Sequence, residues 1–158
     1  MALHEDIQLK EIKQKLARYC AYRERCSSEA YAKLESLGCN AVQTEQVMQF
    51  LINEKFIDDQ RFANAYARGK FNLNHWGKAK IKLALTQKSL SPAIIEAALK
   101  EINTEEYMSK IKSLVIKKWE ALEGSEPYIR KNKVAQSVMR KGYEPNIVWE
   151  MINDMESA

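Results

Sequence analysis

Glycine and proline are scarce in this chain, five and three among 158 residues, about half of average usage. Tight hairpins and Gly-rich phosphate loops have little raw material, and an all-β sandwich is excluded. Long uncharged runs are missing too. The longest, Ser36 to Thr44, is nine residues, against the roughly 18 that a membrane-spanning helix needs. The first residues, MALHEDIQLK, begin with acids and have no apolar centre, so no signal peptide is expected. A cytoplasmic protein without a membrane partner follows as the expectation. The only histidines are His4 and His75, and the three cysteines, Cys20, Cys26 and Cys39, are odd in number and lack zinc-ligand spacing. They read as reduced thiols packed as small apolar groups.

What the chain does have is 46% apolar and 29% charged residues, the balance of a soluble globular protein. Apolar positions recur at helical spacing, as in Ile7, Ile12, Leu16 and Tyr19 or Ile111, Leu114, Val115 and Leu122, and no sustained period-2 alternation appears. The fold class predicted is all-α. Helix starts are marked by Ser28, Asp58, Ser91, Thr104 and Ser125 as caps before acids or proline, with Pro145 opening the last helix. Gly38 and Gly142 mark helix stops, where a left-handed residue closes the helix without a Cβ clash.

These signals give about nine helices, and they repeat. With Gly38, Ser89 and Gly142 as anchors, Leu34, Leu85 and Val138 stand four residues earlier, and Ala30, Ile81 and Val134 eight residues earlier. Apolar pairs follow nine and ten residues later, at Val47 and Met48, Ala98 and Leu99, and Met151 and Ile152. Three tandem three-helix repeats are expected over residues 1–56, 57–103 and 104–158, stacked as an elongated, curved row because one such unit alone buries little surface.

Charge is unevenly spread. Residues 57–103 carry 8 basic and 4 acidic groups, which is the whole net excess of +4, since both flanking segments are balanced. From Gln60 to Ile95 there is no acid at all, only Arg61, Arg68, Lys70, Lys78, Lys80, Lys82 and Lys88; a second acid-free run, Pro127 to Tyr143, holds Arg130, Lys131, Lys133, Arg140 and Lys141. The seven central residues, with Arg130, Lys131 and Lys133, form the candidate surface for a polyanion or a partner already bound to one. Trp76 and Trp119 could stack on bases, but their apolar neighbours favour core packing. Arg23 and Arg25, partly neutralised by Glu24, are a weak binding signal.

Catalytic and metal-binding constellations are not found. The glycines form neither a P-loop nor a dinucleotide fingerprint, His75 has no ligand partner at suitable spacing, and Asp58 and Asp59 read as helix-capping groups. No enzyme and no cofactor are expected.

The run Asp58-Asp59-Gln60-Arg61-Phe62-Ala63, followed by Gly77-x-x-Lys80-Ile81-Lys82-x-x-Leu85-x-x-Lys88-Ser89-Leu90, resembles the RecX family. Arg23-Glu24-Arg25, Ser28-Glu29 and Lys33-Leu34 before Gly38 are similar to that family's first repeat. Ser89 stands where the family usually has glycine, and Ala84 where it has an acid. The resemblance implies a non-enzymatic modulator that lies in the groove of the RecA recombinase filament on single-stranded DNA and lowers its strand-exchange, ATPase and coprotease activity. It is expected to act as a monomer. The alternative reading is a helical protein that binds nucleic acid directly, without a recombinase.

Overall fold

The helical periodicity is realised as nine α-helices and no strand among the described residues, which in this computed structural model are 2–157, with side chains from residue 6 onward. The side chain of His4 lies outside the described residues. The helices are α1 (Ala2–Tyr22), α2 (Ser27–Ser36), α3 (Ala41–Asn53), α4 (Asp59–Asn74), α5 (Lys78–Gln87), α6 (Pro92–Lys100), α7 (Thr104–Ala121), α8 (Pro127–Arg140) and α9 (Pro145–Ser157). The first helix of each triplet is its longest, at 21, 16 and 18 residues. No described helix is long and apolar enough to cross a membrane.

The predicted caps at Asp58 and Ser91 are present, and their side-chain oxygens accept from the N–H groups of Arg61 and Ile94. Three other starts lie one or two residues away from the predicted ones. Asn103 rather than Thr104 caps α7, accepting from Glu106 N, and Glu126 rather than Ser125 caps α8, accepting from Tyr128 N and Ile129 N. Helix α2 begins after Cys26, whose N–H donates to Glu29 Oε1 at 3.2 Å, and Ser28 is engaged elsewhere, as described below.

The repeat anchors behave as one structural position. Gly38, Ser89 and Gly142 have φ of +76°, +63° and +100°, so each closes a middle helix in the left-handed region. Ala30, Ile81 and Val134, and likewise Leu34, Leu85 and Val138, are all buried. Ser89 therefore carries a side chain in a conformation that glycine adopts without strain. Ser89→Gly is expected to raise the unfolding free energy by about 0.5 to 1 kcal/mol, the relief of αL strain less the greater freedom of an unfolded glycine. Urea denaturation checks it, and a loss of stability would mean that the serine hydroxyl matters more than the backbone.

The three triplets do not contribute equally to the interior. Ile12, Leu16, Ala30, Leu34, Val47, Met48, Leu51 and Ile57 form one core. Residues from α4 to α9 form a second, continuous core through Phe71, Ile81, Leu85, Tyr107, Ile111, Val134 and Ile152, and Cys26 reaches into it from the first triplet. Two of the triplets thus share one interior. One expected core position fails: Ile7 is 56% exposed.

The middle helices meet end to end. At the N-terminus of α2, Ser27 N–H donates to Asp59 Oδ1 at 2.7 Å and the Ser28 hydroxyl donates to the carbonyl of Lys88, just past α5, at 2.6 Å. At the N-terminus of α5, Gly77 N–H donates to the Lys141 carbonyl at 2.7 Å and Ala79 N–H to the Gly142 carbonyl at 3.0 Å. Lys78 N–H donates to the Tyr107 hydroxyl at 3.0 Å, and that hydroxyl donates to Glu144 Oε2 at 2.7 Å. Gly77 offers no capping side chain, so the next triplet satisfies the otherwise orphan N–H groups of α5. The partially positive start of one helix lies against the carbonyl end of the next.

Candidate interaction site

Ten basic residues from two acid-free stretches were expected to meet a polyanion or a partner bound to one, and the tertiary structure sorts them into different roles. Arg61 faces the junction between the first two triplets. Its Nε and Nη2 donate to Glu24 Oε1 at 3.0 and 2.9 Å, and Nη1 and Nη2 donate to the carbonyls of Lys55 and Phe56. Asp59, which accepts from Ser27 N, and Arg61, which donates to Glu24, thus fasten one triplet to the other, while Asp58 caps α4 and Phe62 and Ala63 are buried in the core of α4 to α9. Arg61→Ala is expected to lower stability by about 1 to 2 kcal/mol through the lost charge-assisted hydrogen bonds. Chemical denaturation measures it; an unchanged midpoint would mean that Arg61 does not hold the junction.

Arg130 is likewise structural. Its guanidinium lies 3.8 Å from the Trp119 ring centroid, and Nε and Nη2 both donate to the Trp119 carbonyl, at 3.0 and 2.7 Å. Trp119 packs against the core, as expected of it. Lys131 is ion-paired with Glu156, and Lys82 with Glu96 at 3.4 Å. Lys133 on α8 and Arg68 on α4 are exposed, and Arg68 lines a pocket with Glu101 and Glu106. Arg25 is turned inward: it is 8% exposed, stacks 3.8 Å over Tyr19 and donates to the Tyr19 carbonyl.

Lys70, Lys80 and Lys88 come together, and two aromatic residues join them. Lys80 Nζ lies 4.6 Å from the Trp76 ring centroid and Lys70 Nζ lies 4.8 Å from the same ring. Lys70 is also 5.4 Å from Tyr66, and Lys88 is 5.9 Å from Tyr66. The order Lys80, Trp76, Lys70, Tyr66, Lys88 is a ladder of alternating cations and rings running from the start of α5, across α4, to the end of α5. Tyr66 and Lys70 are one helical turn apart on α4, and Trp76 sits in the connection between α4 and α5, between Lys70 of the one helix and Lys80 of the other. All five side chains are partly buried.

The electrostatics of the ladder are graded. Lys88 is balanced in part by Glu29, 4.0 Å away. Among the described residues, Lys70 and Lys80 have no carboxylate within ion-pair distance. Each cation–π contact is worth about 0.5 to 1 kcal/mol at a partly exposed site. Such contacts restrain the lysine stems while leaving ammonium donors for a partner, so less side-chain entropy is lost on binding. Lys78 lies elsewhere, 4.9 Å over Tyr107.

Sequence reading treated Trp76 as a core residue and left Tyr66 aside. Both pack on the core and both also carry lysines. The signal that could have found them is the i, i+4 pairing of an aromatic with a lysine inside an acid-free segment.

Comparison with known proteins agrees with this architecture. Residues 58–99 match the family model described as the second three-helix domain of RecX, and residues 105–152 the third. A regulatory protein RecX from Clostridium tetani is 32% identical over 129 residues, covering 80% of this chain and 57% of the relative. One from Oceanobacillus iheyensis is 25% identical over 140 residues, covering 89% of this chain and 52% of the relative. The chain therefore spans about half the length of these curated relatives. The crystal structure of RecX from Lactobacillus salivarius superposes with a TM-score of 0.87 at 25% identity, covering 95% of this chain and 97% of that one. Another crystal structure of a regulatory protein RecX gives a TM-score of 0.85, covering 97% of this chain and 75% of that one.

Proposed function

This chain belongs to the RecX family, and from that premise we propose that it regulates the RecA recombinase by binding the filament that RecA forms on single-stranded DNA. Bound there, it lowers strand exchange, ATP hydrolysis and coprotease activity, and it does so by occupancy rather than by catalysis of its own. The observation that carries this reading is the ladder. It offers restrained lysines between aromatic faces, two of them, Lys70 and Lys80, without an ion-pair partner among the described residues, which suits a surface with exposed phosphates. Three joined helical triplets provide the reach to contact more than one filament subunit.

The deciding measurement is the affinity of the protein for single-stranded DNA, bare and coated with RecA, at about 150 mM salt, where the Debye length is roughly 8 Å. Much tighter binding to the coated strand, with falling ATPase rate, is the expected result. Equal or tighter binding to the bare strand would overturn it in favour of direct nucleic-acid binding, which the same Trp76 and Tyr66 favour as stacking platforms.

A further inference from the structure

A second basic cluster lies where the last two triplets meet. A cavity of about 370 Å³ is lined by His75 from the end of α4, Leu114, Lys117 and Lys118 from α7, and Ser137 and Lys141 from α8 and its C-terminal cap. Its lining contains no carboxylate. Among the described residues, Lys110, Lys117, Lys118 and Lys141 have no carboxylate within ion-pair distance. Three lysines and an imidazole therefore line the cavity, with Lys110 adjoining it through His75, and none of these lysines has an ion-pair partner among the described residues.

His75 is held firmly at the edge of this cavity. Its backbone is left-handed, with φ of +59°, and its carbonyl accepts from the Tyr143 hydroxyl at 2.7 Å. Its Nδ1 is 3.0 Å from Lys110 Nζ. An ammonium has no acceptor capacity, so it donates to Nδ1 and the neutral ring keeps its proton on Nε2, where it can donate to an anionic oxygen. Lys110 foremost, then burial, Lys141 and Lys117 hold the imidazole pKa below its ordinary value. No acid opposes them in that balance. Clustered like charges repel one another, and a bound anion relieves that repulsion.

We propose that this cavity is a binding site for a phosphate group, carried either by a nucleic-acid strand or by a free nucleotide. The ammonium groups of Lys117, Lys118 and Lys141 neutralise it, and the Ser137 hydroxyl and His75 supply neutral donors. Its size falls within the roughly 300 to 1,000 Å³ of small-ligand sites. It is separate from the ladder in composition, sharing none of its five residues, and it does not depend on the filament-binding reading.

The test is an NMR titration of the full chain, following the His75 ring with pyrophosphate as the probe. A saturable shift of the His75 signals and a rise in its pKa are expected. The double variant Lys117→Gln, Lys141→Gln should bind about tenfold more weakly or worse, the usual effect of losing charge-assisted contacts. Its far-UV circular dichroism should be unchanged, because the junction uses the backbone carbonyl of Lys141 and not its side chain. Lys70→Glu with Lys80→Glu should leave the titration unaltered. No saturable change at His75, or equal affinity in the Lys117, Lys141 variant, would overturn the site. Parallel titrations with ATP and with a thymidine oligonucleotide identify the source of the phosphate by which binds more tightly. Failure of RecA-filament binding would leave the pyrophosphate result unaffected, so the two readings fail separately.

Discussion

Gly142→Ala is expected to lower the unfolding free energy by about 3 to 4 kcal/mol, the sum of left-handed strain and overpacking at a tight contact. At φ of +100°, a Cβ here would sit 2.5 Å from Lys80 Cβ and 2.6 Å from Lys80 N. Both obstacles are at the root of the helix rather than at a flexible side-chain end, so the backbone must move. That movement would break the hydrogen bonds from Gly77 and Ala79 to the Lys141 and Gly142 carbonyls and uncap α5. Gly77→Ala isolates the close approach, since its φ is an ordinary −80° but its added Cβ would lie 2.3 Å from the Gly142 carbonyl carbon. Gly38→Ala isolates the strain: φ is +76°, with nothing within 4 Å of the added carbon, and the cost should be only about 1 kcal/mol. Urea denaturation of the three variants gives the order Gly142 above Gly38, with Gly77→Ala also strongly destabilising. If Gly142→Ala costs no more than Gly38→Ala, the end-to-end junction is not a tight one. Because the second core runs through both sides of the junction, loss should appear as one cooperative transition rather than as release of a single helix.

The second large effect is functional. Lys70→Glu combined with Lys80→Glu should weaken binding to RecA-coated single-stranded DNA by more than about tenfold, since reversal turns two attractive contacts repulsive at a charged surface. Folding should survive, because each lysine contributes only cation–π contacts worth about 0.5 to 1 kcal/mol. Circular dichroism checks that helix content is retained, and inhibition of the RecA ATPase reads the effect. Lys82→Glu and Lys133→Glu are the comparison: Lys82 is paired with Glu96, Lys133 is exposed on α8, and neither lies over the ladder's rings. Equal loss in the comparison variant would mean that net charge, not the ladder, governs binding. Arg61→Ala offers the opposite pattern, with stability lowered and affinity kept.

Much of the fold is legible in the residues alone because burial on a helix recurs with a short, local period. Leu34, Leu85 and Val138 can be aligned from spacing, and all three are buried as that alignment requires. Ser89 can be recognised as equivalent to two glycines because helix termination is a local backbone event, and its φ of +63° follows. The functional surface is less legible. The acid-free segment 60–95 reads as a single basic patch because sequence shows which charges are adjacent along the chain and not which acids fold against them. Arg61 meets Glu24, 37 residues away, and Lys88 meets Glu29, while Lys82 meets Glu96 on the following helix. Arg61, in the segment resembling the RecX motif, reads as part of the basic surface and instead fastens two triplets, since its guanidinium is used by Glu24 and by the carbonyls of Lys55 and Phe56.

The sequence by itself determined the all-α class, the approximate positions of the helices, the threefold repeat and the family, because capping, periodicity and motif spacing are properties of neighbouring residues. Tertiary structure alone decided which cations are free, how the first core is separated from a second shared one, and that the start of α5 is capped by another triplet. It also assembled the cavity around His75, Lys117 and Lys141 from segments up to 66 residues apart. The physical reason is that electrostatic and hydrogen-bond partners are chosen by distance in space, and a helical period carries no information about what packs across it.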